Sequence, residues 1–88
     1  MSYVLAGTTA DAFTAEVQLA SWVVGTTISL HFERDVQVTA VNHATLMDAT
    51  SNTVTFVIHR GIASTLRSFF FHAEGPAARP SLISCTEP

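Results

Sequence analysis

The side chains in this sequence that are best suited to bind a ligand lie in three short segments. They are Asn42, His43, His59, Arg60, Phe70 and His72. Amide, imidazole and guanidinium groups form hydrogen bonds with hydroxyl or carboxylate groups, and a phenyl ring offers a flat apolar surface. We therefore treat these six residues as candidates for a ligand-binding surface.

The histidines could also hold a metal ion, because imidazole is a good ligand for zinc and copper. His31, His59 and His72 fall on outward positions of predicted strands, and His43 falls in a loop. Their separations are long, and no pair has a recognised short ligand spacing. We predict no metal site and no other cofactor.

Several carboxylates and a serine are the residue types that could support catalysis. Glycoside hydrolysis needs two carboxylates held in a cleft, yet Glu16 lies within a strand while Glu33 and Asp35 share a charged turn. Ser64 and His72 lack the strained elbow and the orienting acid of a hydrolase triad. We predict no catalytic residues and a protein that is not an enzyme.

The composition limits the possible partners. The chain has 88 residues, with four Arg or Lys against seven carboxylates and 12% charged residues. Because clustered cations are needed to track phosphates or to dock on anionic lipid, nucleic acid and membrane surfaces are not expected as partners. No stretch approaches the roughly 20 apolar residues of a membrane span.

Alternation of apolar and polar residues indicates strands. Phe13–Leu19, Ile28–Phe32, Thr53–His59 and Ser68–His72 each alternate with period two, and Val36 begins a further strand. Short strands at such spacing are typical of sandwiches. We predict one all-β domain over residues 1–88, an antiparallel β-sandwich of immunoglobulin-like or jelly-roll type.

The two ends of the compact part are also suggested by the sequence. Its limits are predicted at about residues 3 and 75, and the Pro-containing segment 76–88 is interpreted as an exposed tail. Cys85 has no internal partner for a disulfide, so it is either a spare thiol or the partner of a cysteine outside this chain. The predicted core consists of Trp22, Phe32, Phe56, Phe69 and Phe71, with Trp22 available as a ligand-stacking ring if it is exposed.

Five segments in a fixed order resemble those of the family-two carbohydrate-binding modules, over about Ala12 to Glu74. Ala12–Val17 is similar to the family's Gly-Phe-Thr-Ala-x-Val, Ser21-Trp22 to its Gly-Trp, and Asn42–Ala44 to its Trp-Asn-Ala. His59–Ile62 is similar to Trp-Asn-Gly-x-Leu, and Phe69–Gly75 to Phe-Gly-Phe-x-x-x-Gly. Cys85 falls where many members place the second Cys of a disulfide that joins the chain ends.

This resemblance implies a sandwich that binds polysaccharide by stacking exposed aromatic rings on sugars. The matching ring positions here are Asp11 or a neighbour, Asn42 and His59, so the three-ring platform is missing. Phe70 stands where the family has Gly, and either contacts a ligand or is covered by a nearby loop or by the segment 75–88. Crystalline cellulose is therefore expected to be a poor ligand.

The sequence favours a non-catalytic carbohydrate-binding or wall- and matrix-associated module, which binds a polysaccharide or other glycan and derives from a larger secreted protein. The alternative is a structural or protein-interaction sandwich that self-associates as a homo-oligomer. Low charge and an outward Phe70 favour the alternative.

Overall fold

The computed structural model describes residues 2–50, 52–59 and 67–88. Within these ranges the chain forms eight strands and no helix, which confirms the all-β class. The strands are β1 (Ser2–Thr8), β2 (Ala12–Gln18), β3 (Thr27–His31), β4 (Gln37–Asn42), β5 (Thr45–Ala49), β6 (Thr53–Val57), β7 (Ser68–Glu74) and β8 (Leu82–Thr86).

The strands form two sheets of four. Sheet A has the order β1-β2-β7-β4 and sheet B has the order β5-β6-β3-β8, and all of the neighbouring strands are antiparallel. The rings of Phe56 in sheet B and Phe69 in sheet A are 4.9 Å apart between centroids, so the sheets pack face to face. The predicted antiparallel sandwich is confirmed.

Alternation along the central strands produces the core. On β2 the side chains of Phe13, Ala15 and Val17 are buried, and Thr14 and Glu16 between them are part-exposed. Because successive side chains of a strand point to opposite faces, one face of each sheet enters the core and the other remains outside. The predicted core residues Phe32, Phe56, Phe69 and Phe71 are buried.

Phe71 is the centre of an aromatic cluster. Its ring centroid lies 5.3 Å from Phe56, 6.2 Å from Phe13 and 6.3 Å from Tyr3. Tilted and edge-to-face contacts at such distances stabilise a core beyond the burial of area. Both sheets and the first strand are therefore joined through one side chain.

Trp22 lies outside the strands, in the connection between β2 and β3. It is partly buried and packs against the core cluster, and it also takes part in a further interaction. Its place is thus at the margin of the core, whereas the four phenylalanines lie fully within it.

The predicted boundary at residue 75 is wrong for the segment that follows. Leu82–Thr86 forms β8, which pairs with β3 along its length, and Ile83 packs against the core opposite Leu30. Tyr3 also holds this segment, because its hydroxyl donates a 2.8 Å hydrogen bond to the carbonyl of Ala78. Pro76 and Pro80 make the sequence of this segment look unlike a strand. In the fold, β8 pairs with the edge of β3 that would otherwise be open.

Cys85 lies within β8 and is exposed. It is opposite Ile28 in the β3–β8 ladder. The residue predicted to lie in a loose tail is therefore fixed to the edge of sheet B.

Candidate functional site

The outer face of sheet A carries three of the six candidate residues, and we call it the A face. It is defined by Val4, Thr14, Glu16, Gln18, Asn42, Phe70 and His72. Strands in a sheet lie about 4.8 Å apart, so a row of four side chains across it spans about 14 Å. The A face is therefore an open surface wide enough for a polymer chain.

Phe70 occupies the middle of the A face. Its neighbours Phe69 and Phe71 on β7 are buried, so Phe70 points outward, where it is partly buried. Glu16 on β2 and Asn42 on β4 are its cross-strand partners. Segment 82–86 belongs to sheet B, so β8 lies on the other layer of the sandwich and does not cover Phe70. The ring is thus flanked by a carboxylate and an amide on a largely flat surface.

Glu16 and its neighbours form a short polar chain on the same face. The Gln18 amide donates to one Glu16 carboxylate oxygen at 3.2 Å, and the Ser2 hydroxyl donates to the Gln18 carbonyl at 3.0 Å. This arrangement orients the carboxylate beside Phe70. A carboxylate held in this way can accept hydrogen bonds from ligand hydroxyl groups.

His72 lies two residues beyond Phe70 along β7. Its Nδ1 is 2.6 Å from the hydroxyl of Thr14, the cross-strand partner on β2. This contact fixes the imidazole plane and leaves Nε2 without a hydrogen-bond partner among the described residues. His72 is exposed, so Nε2 is available to a ligand.

A hollow of about 380 Å³ adjoins His72 and Thr14. Gly7 on β1 is also part of its lining, and a side chain built at Gly7 would meet nothing within 4 Å. The missing side chain at Gly7 therefore leaves space beside the imidazole. A substituent of a ligand lying on the A face could enter this space.

The connection from β4 to β5 brings Asn42 and His43 to the edge of both sheets. Asn42 ends β4 in sheet A, and Thr45 begins β5 in sheet B. His43 between them has a φ of 70°, in the left-handed region that non-glycine residues seldom adopt. Both Asn42 and His43 are exposed, so this corner presents an amide and an imidazole together.

His59 lies outside the A face. It follows β6 in sheet B, and its Nδ1 is 2.7 Å from the hydroxyl of Thr45. Thr45 is the first residue of β5 and follows His43 by two residues. His59 therefore lies beyond the β4–β5 connection, on the side of sheet B. Arg60 is outside the described residues. The structure thus groups Asn42, Phe70 and His72, places His43 at the rim, and separates His59 from the face.

Thr14, Glu16 and Gly7 were not among the candidates from the sequence. A strand residue with a polar side chain predicts an outward position, but only the register shows which outward residues are adjacent. The alignment of Glu16 with Phe70 and of Thr14 with His72 depends on the β2–β7 pairing. That pairing joins segments more than fifty residues apart, so local patterns do not reveal it.

Among the residues that the structure describes, no three His, Cys, Asp or Glu side chains are grouped as a metal site. Within the same ranges no helix is long and apolar enough to cross a membrane.

Comparison with known proteins gives a likeness in fold. No family model matches the sequence, and no curated protein matches it. Among solved structures, the chain is similar to the chitin-binding domain of a chitinase from Pyrococcus furiosus, with a TM-score of 0.61 and 13% identity. The match covers 97% of this chain and 90% of that one. At this identity the likeness supports the fold alone: an all-β sandwich that is also used by a carbohydrate-binding domain.

Proposed function

We propose that the protein is a non-catalytic carbohydrate-binding module that places the A face against a polysaccharide. We further propose that it is a divergent relative of the family-two modules and acts outside the cell as part of a larger secreted protein. The sandwich fold shared with a chitin-binding domain supports this class of function. The five colinear sequence similarities support the finer relationship.

The observation that carries the proposal is the setting of Phe70. A partly exposed phenyl ring on a central strand, between Glu16 and Asn42, combines a stacking surface with hydrogen-bonding groups on both sides. Sugars need this combination, because one face of a pyranose ring consists of C–H groups and its rim carries hydroxyls. A ring that only filled space would not need polar partners on both neighbouring strands.

The ligand that fits best is a neutral, extended polysaccharide. Glu16 and Glu74 are carboxylates on the outer face of sheet A, so a polyanionic chain would be repelled there. Chitin is the first candidate, because the similar domain is a chitin-binding one and because the hollow beside His72 offers space for a ring substituent. With one stacking ring instead of three, affinity is expected to be weak, since each ring contributes about 0.5–1.5 kcal/mol beyond area burial.

The test is depletion of the protein from solution by insoluble chitin and by microcrystalline cellulose. We expect partial depletion on chitin, less on cellulose, and loss of chitin binding in Phe70→Ser. Met47→Ser is the matched control, because Met47 is 62% exposed but belongs to sheet B. Depletion that is equal in Phe70→Ser and wild type would remove the A face from the proposal, and no binding to either polymer would refute the function.

A second function, self-association, is favoured by one observation. Val4 is 41% exposed and lies in the same cross-strand row as Phe70, with Glu16 between them. An apolar surface of this kind can also serve as a contact between two copies. Sedimentation in reductant, which excludes a Cys85 disulfide, separates the functions: a dimer that Phe70→Ser weakens supports the alternative, and a monomer at all concentrations refutes it.

A further inference from the structure

A second concave site lies away from the A face, at the opposite end of β4 and β7. It is a cleft of about 550 Å³, which we call the Arg34 cleft, and its polar lining includes Arg34, Asp35, Gln37 and Glu74. Gln37 and Glu74 are cross-strand partners, as are Asn42 and Phe70 at the other end of the same strands. Glu74 is four residues along β7 from Phe70, a distance of about 13 Å, so a ligand in the cleft would not touch the ring of Phe70.

The lining residues restrict the chemistry of a ligand. Arg34 and the Gln37 amide donate hydrogen bonds, whereas the carboxylates of Asp35 and Glu74 accept them. No ion pair joins Arg34 to either carboxylate in the described part of the chain. Arg34 contributes one positive charge to the lining, and Asp35 and Glu74 contribute two negative charges. The net formal charge is negative, which disfavours phosphate, sulfate or carboxylate ligands. A fully apolar ligand would leave the side chains of Gln37, Asp35 and Glu74 without partners.

The apolar part of the cleft is aliphatic. Val36, Val38 and Ala49 contribute to the lining, and no aromatic side chain does. Stacking of a planar base or aromatic ligand therefore has no partner ring. A saccharide fits both parts, because each hydroxyl both donates and accepts a hydrogen bond while the C–H groups pack against aliphatic side chains.

The backbone at Gly75 leaves the space that the Arg34 guanidinium occupies. Gly75 has a φ of 101°, and a side chain at this position would begin 3.2 Å from Arg34 Nη1. That Nη1 donates to the carbonyl of Asp35 at 3.2 Å, and Nη2 is buried with no hydrogen-bond partner among the described residues. The glycine thus provides both the conformation and the space that hold the guanidinium at the cleft. Nη2 is shielded from solvent, so hydrogen bonds to a ligand would come from the accessible polar side chains of the lining, such as Gln37, Asp35 and Glu74.

We propose that the Arg34 cleft is a second saccharide site, which binds one sugar unit of a soluble, neutral oligosaccharide. The proposal extends the proposed function, since it assumes that the protein binds carbohydrate. The two sites accommodate different parts of a carbohydrate. The A face suits the side of a long polysaccharide chain, whereas the cleft suits a single sugar unit or a chain end.

The experiment is a titration of isotopically labelled protein with chitotriose and with cellotriose, followed by backbone amide NMR shifts. We expect saturable shifts at Gln37, Thr50, Glu74 and Gly75 with at least one of these sugars. Glu74→Ala should weaken this binding at least fivefold. Glu33→Ala is the matched control, because Glu33 is exposed in the same turn as Asp35 but does not line the cleft, and it should leave the affinity unchanged.

The outcomes separate this site from the A face. Shifts limited to Glu16, Phe70 and His72 would refute the cleft and leave the proposed function intact. Cleft shifts that persist in Phe70→Ser, in a protein that no longer binds chitin, would support two independent sites. If Glu74→Ala and Gln37→Ala both retain wild-type affinity, or if neither sugar shifts any cleft residue, the cleft is not a saccharide site.

Discussion

His72 Nδ1 lies 2.6 Å from Thr14 Oγ1 across the β2–β7 ladder. Two other outward histidines make the same contact: His59 Nδ1 with the hydroxyl of Thr45 at 2.7 Å, and His31 Nδ1 with that of Thr53 at 3.1 Å. In each pair a threonine on the adjacent strand fixes the imidazole, and Nε2 has no hydrogen-bond partner within the described ranges. Of the three, the His72–Thr14 pair lies beside Phe70.

Thr14→Val should test the pair on the A face. Valine keeps the shape and strand preference of threonine but removes the hydroxyl, so we expect the unfolding free energy to change by less than about 1 kcal/mol. Polysaccharide binding should weaken about three- to tenfold, because His72 is no longer held in one orientation. Chitin depletion and urea unfolding measure the two quantities.

Thr53→Val is the matched control for that substitution. It breaks the equivalent pair with His31 in sheet B, so polysaccharide binding should be unchanged. Equal losses of binding in the two variants would mean that the effect comes from general destabilisation instead of the orientation of His72.

Gly7→Val should separate stability from binding. Gly7 lies in β1 with open space around it and without a positive φ, so a β-branched side chain fits there. We expect a gain of about 0.5–1 kcal/mol in the unfolding free energy, because glycine loses more backbone entropy on folding. Binding should fall, since the new side chain enters the hollow beside His72.

Urea unfolding and chitin depletion of the same Gly7→Val preparation would test this prediction. Ala6→Val provides the comparison, because Ala6 is an exposed β1 neighbour that does not line the hollow. A stabilised Gly7→Val protein with undiminished binding would show that the hollow is not used.

His43→Gly should reveal whether the left-handed turn is kept for its side chain. A non-glycine residue in this region costs about 1–2 kcal/mol, and the entropy of glycine in the unfolded state offsets part of that. We therefore expect the variant to be as stable as wild type or up to about 1 kcal/mol more stable in urea unfolding. His43→Val should instead lose stability, because a β-branched residue is strained at positive φ. A marked loss of stability in His43→Gly would show that the imidazole itself stabilises the turn.

Tyr3 should make stability depend on pH in the alkaline range. Burial raises the pKa of its phenol to about 12, and the positive charges of Arg79 and Arg34 oppose that shift. Since the ordinary pKa is 10.0, the unfolded chain releases this proton first as the pH rises, and the folded chain retains it. The contribution to stability is complete below pH 10 and should be lost as the pH rises through about 12.

The chain contains a single Tyr, so phenolate absorbance reports this group directly. We expect a midpoint near 12 in the folded protein, and a midpoint near 10 would contradict the burial of the phenol. Tyr3→Phe should cost about 1 kcal/mol at neutral pH, through the lost hydrogen bond to Ala78, and should abolish this alkaline component.

The strongly alternating strands could be predicted from sequence because each carries its own periodic signal. Phe13 to Val17 and Val54 to Ile58 are examples, with every second side chain buried. Phe70 was likewise expected on an outer face from its parity with Phe69 and Phe71. Such expectations need no knowledge of the partner strand.

The features that the sequence does not predict depend on how distant strands pair. β8 was missed because its residues 82–86 alternate weakly and follow two prolines, and its position is determined by the open edge of β3. Asn42 and Phe70 are distant in the sequence, and their adjacency follows only from the β4–β7 register. The Arg34 cleft was also missed, since its residues come from three separated segments, one of which had been interpreted simply as a charged turn.

The pairing of β8 with β3 has a consequence for the folding pathway. Thr27 on β3 hydrogen-bonds to the carbonyl of Thr86, across a separation of 59 residues, and Tyr3 bonds to Ala78 across 75. Closing such loops is entropically costly, and non-local contacts of this kind slow folding. Until β8 docks, β3 is an edge strand with unpaired backbone groups, next to the buried side chains of Ile28 and Leu30. The partly folded chain is thus most exposed to intermolecular strand pairing along β3, and docking of the last strand removes that edge.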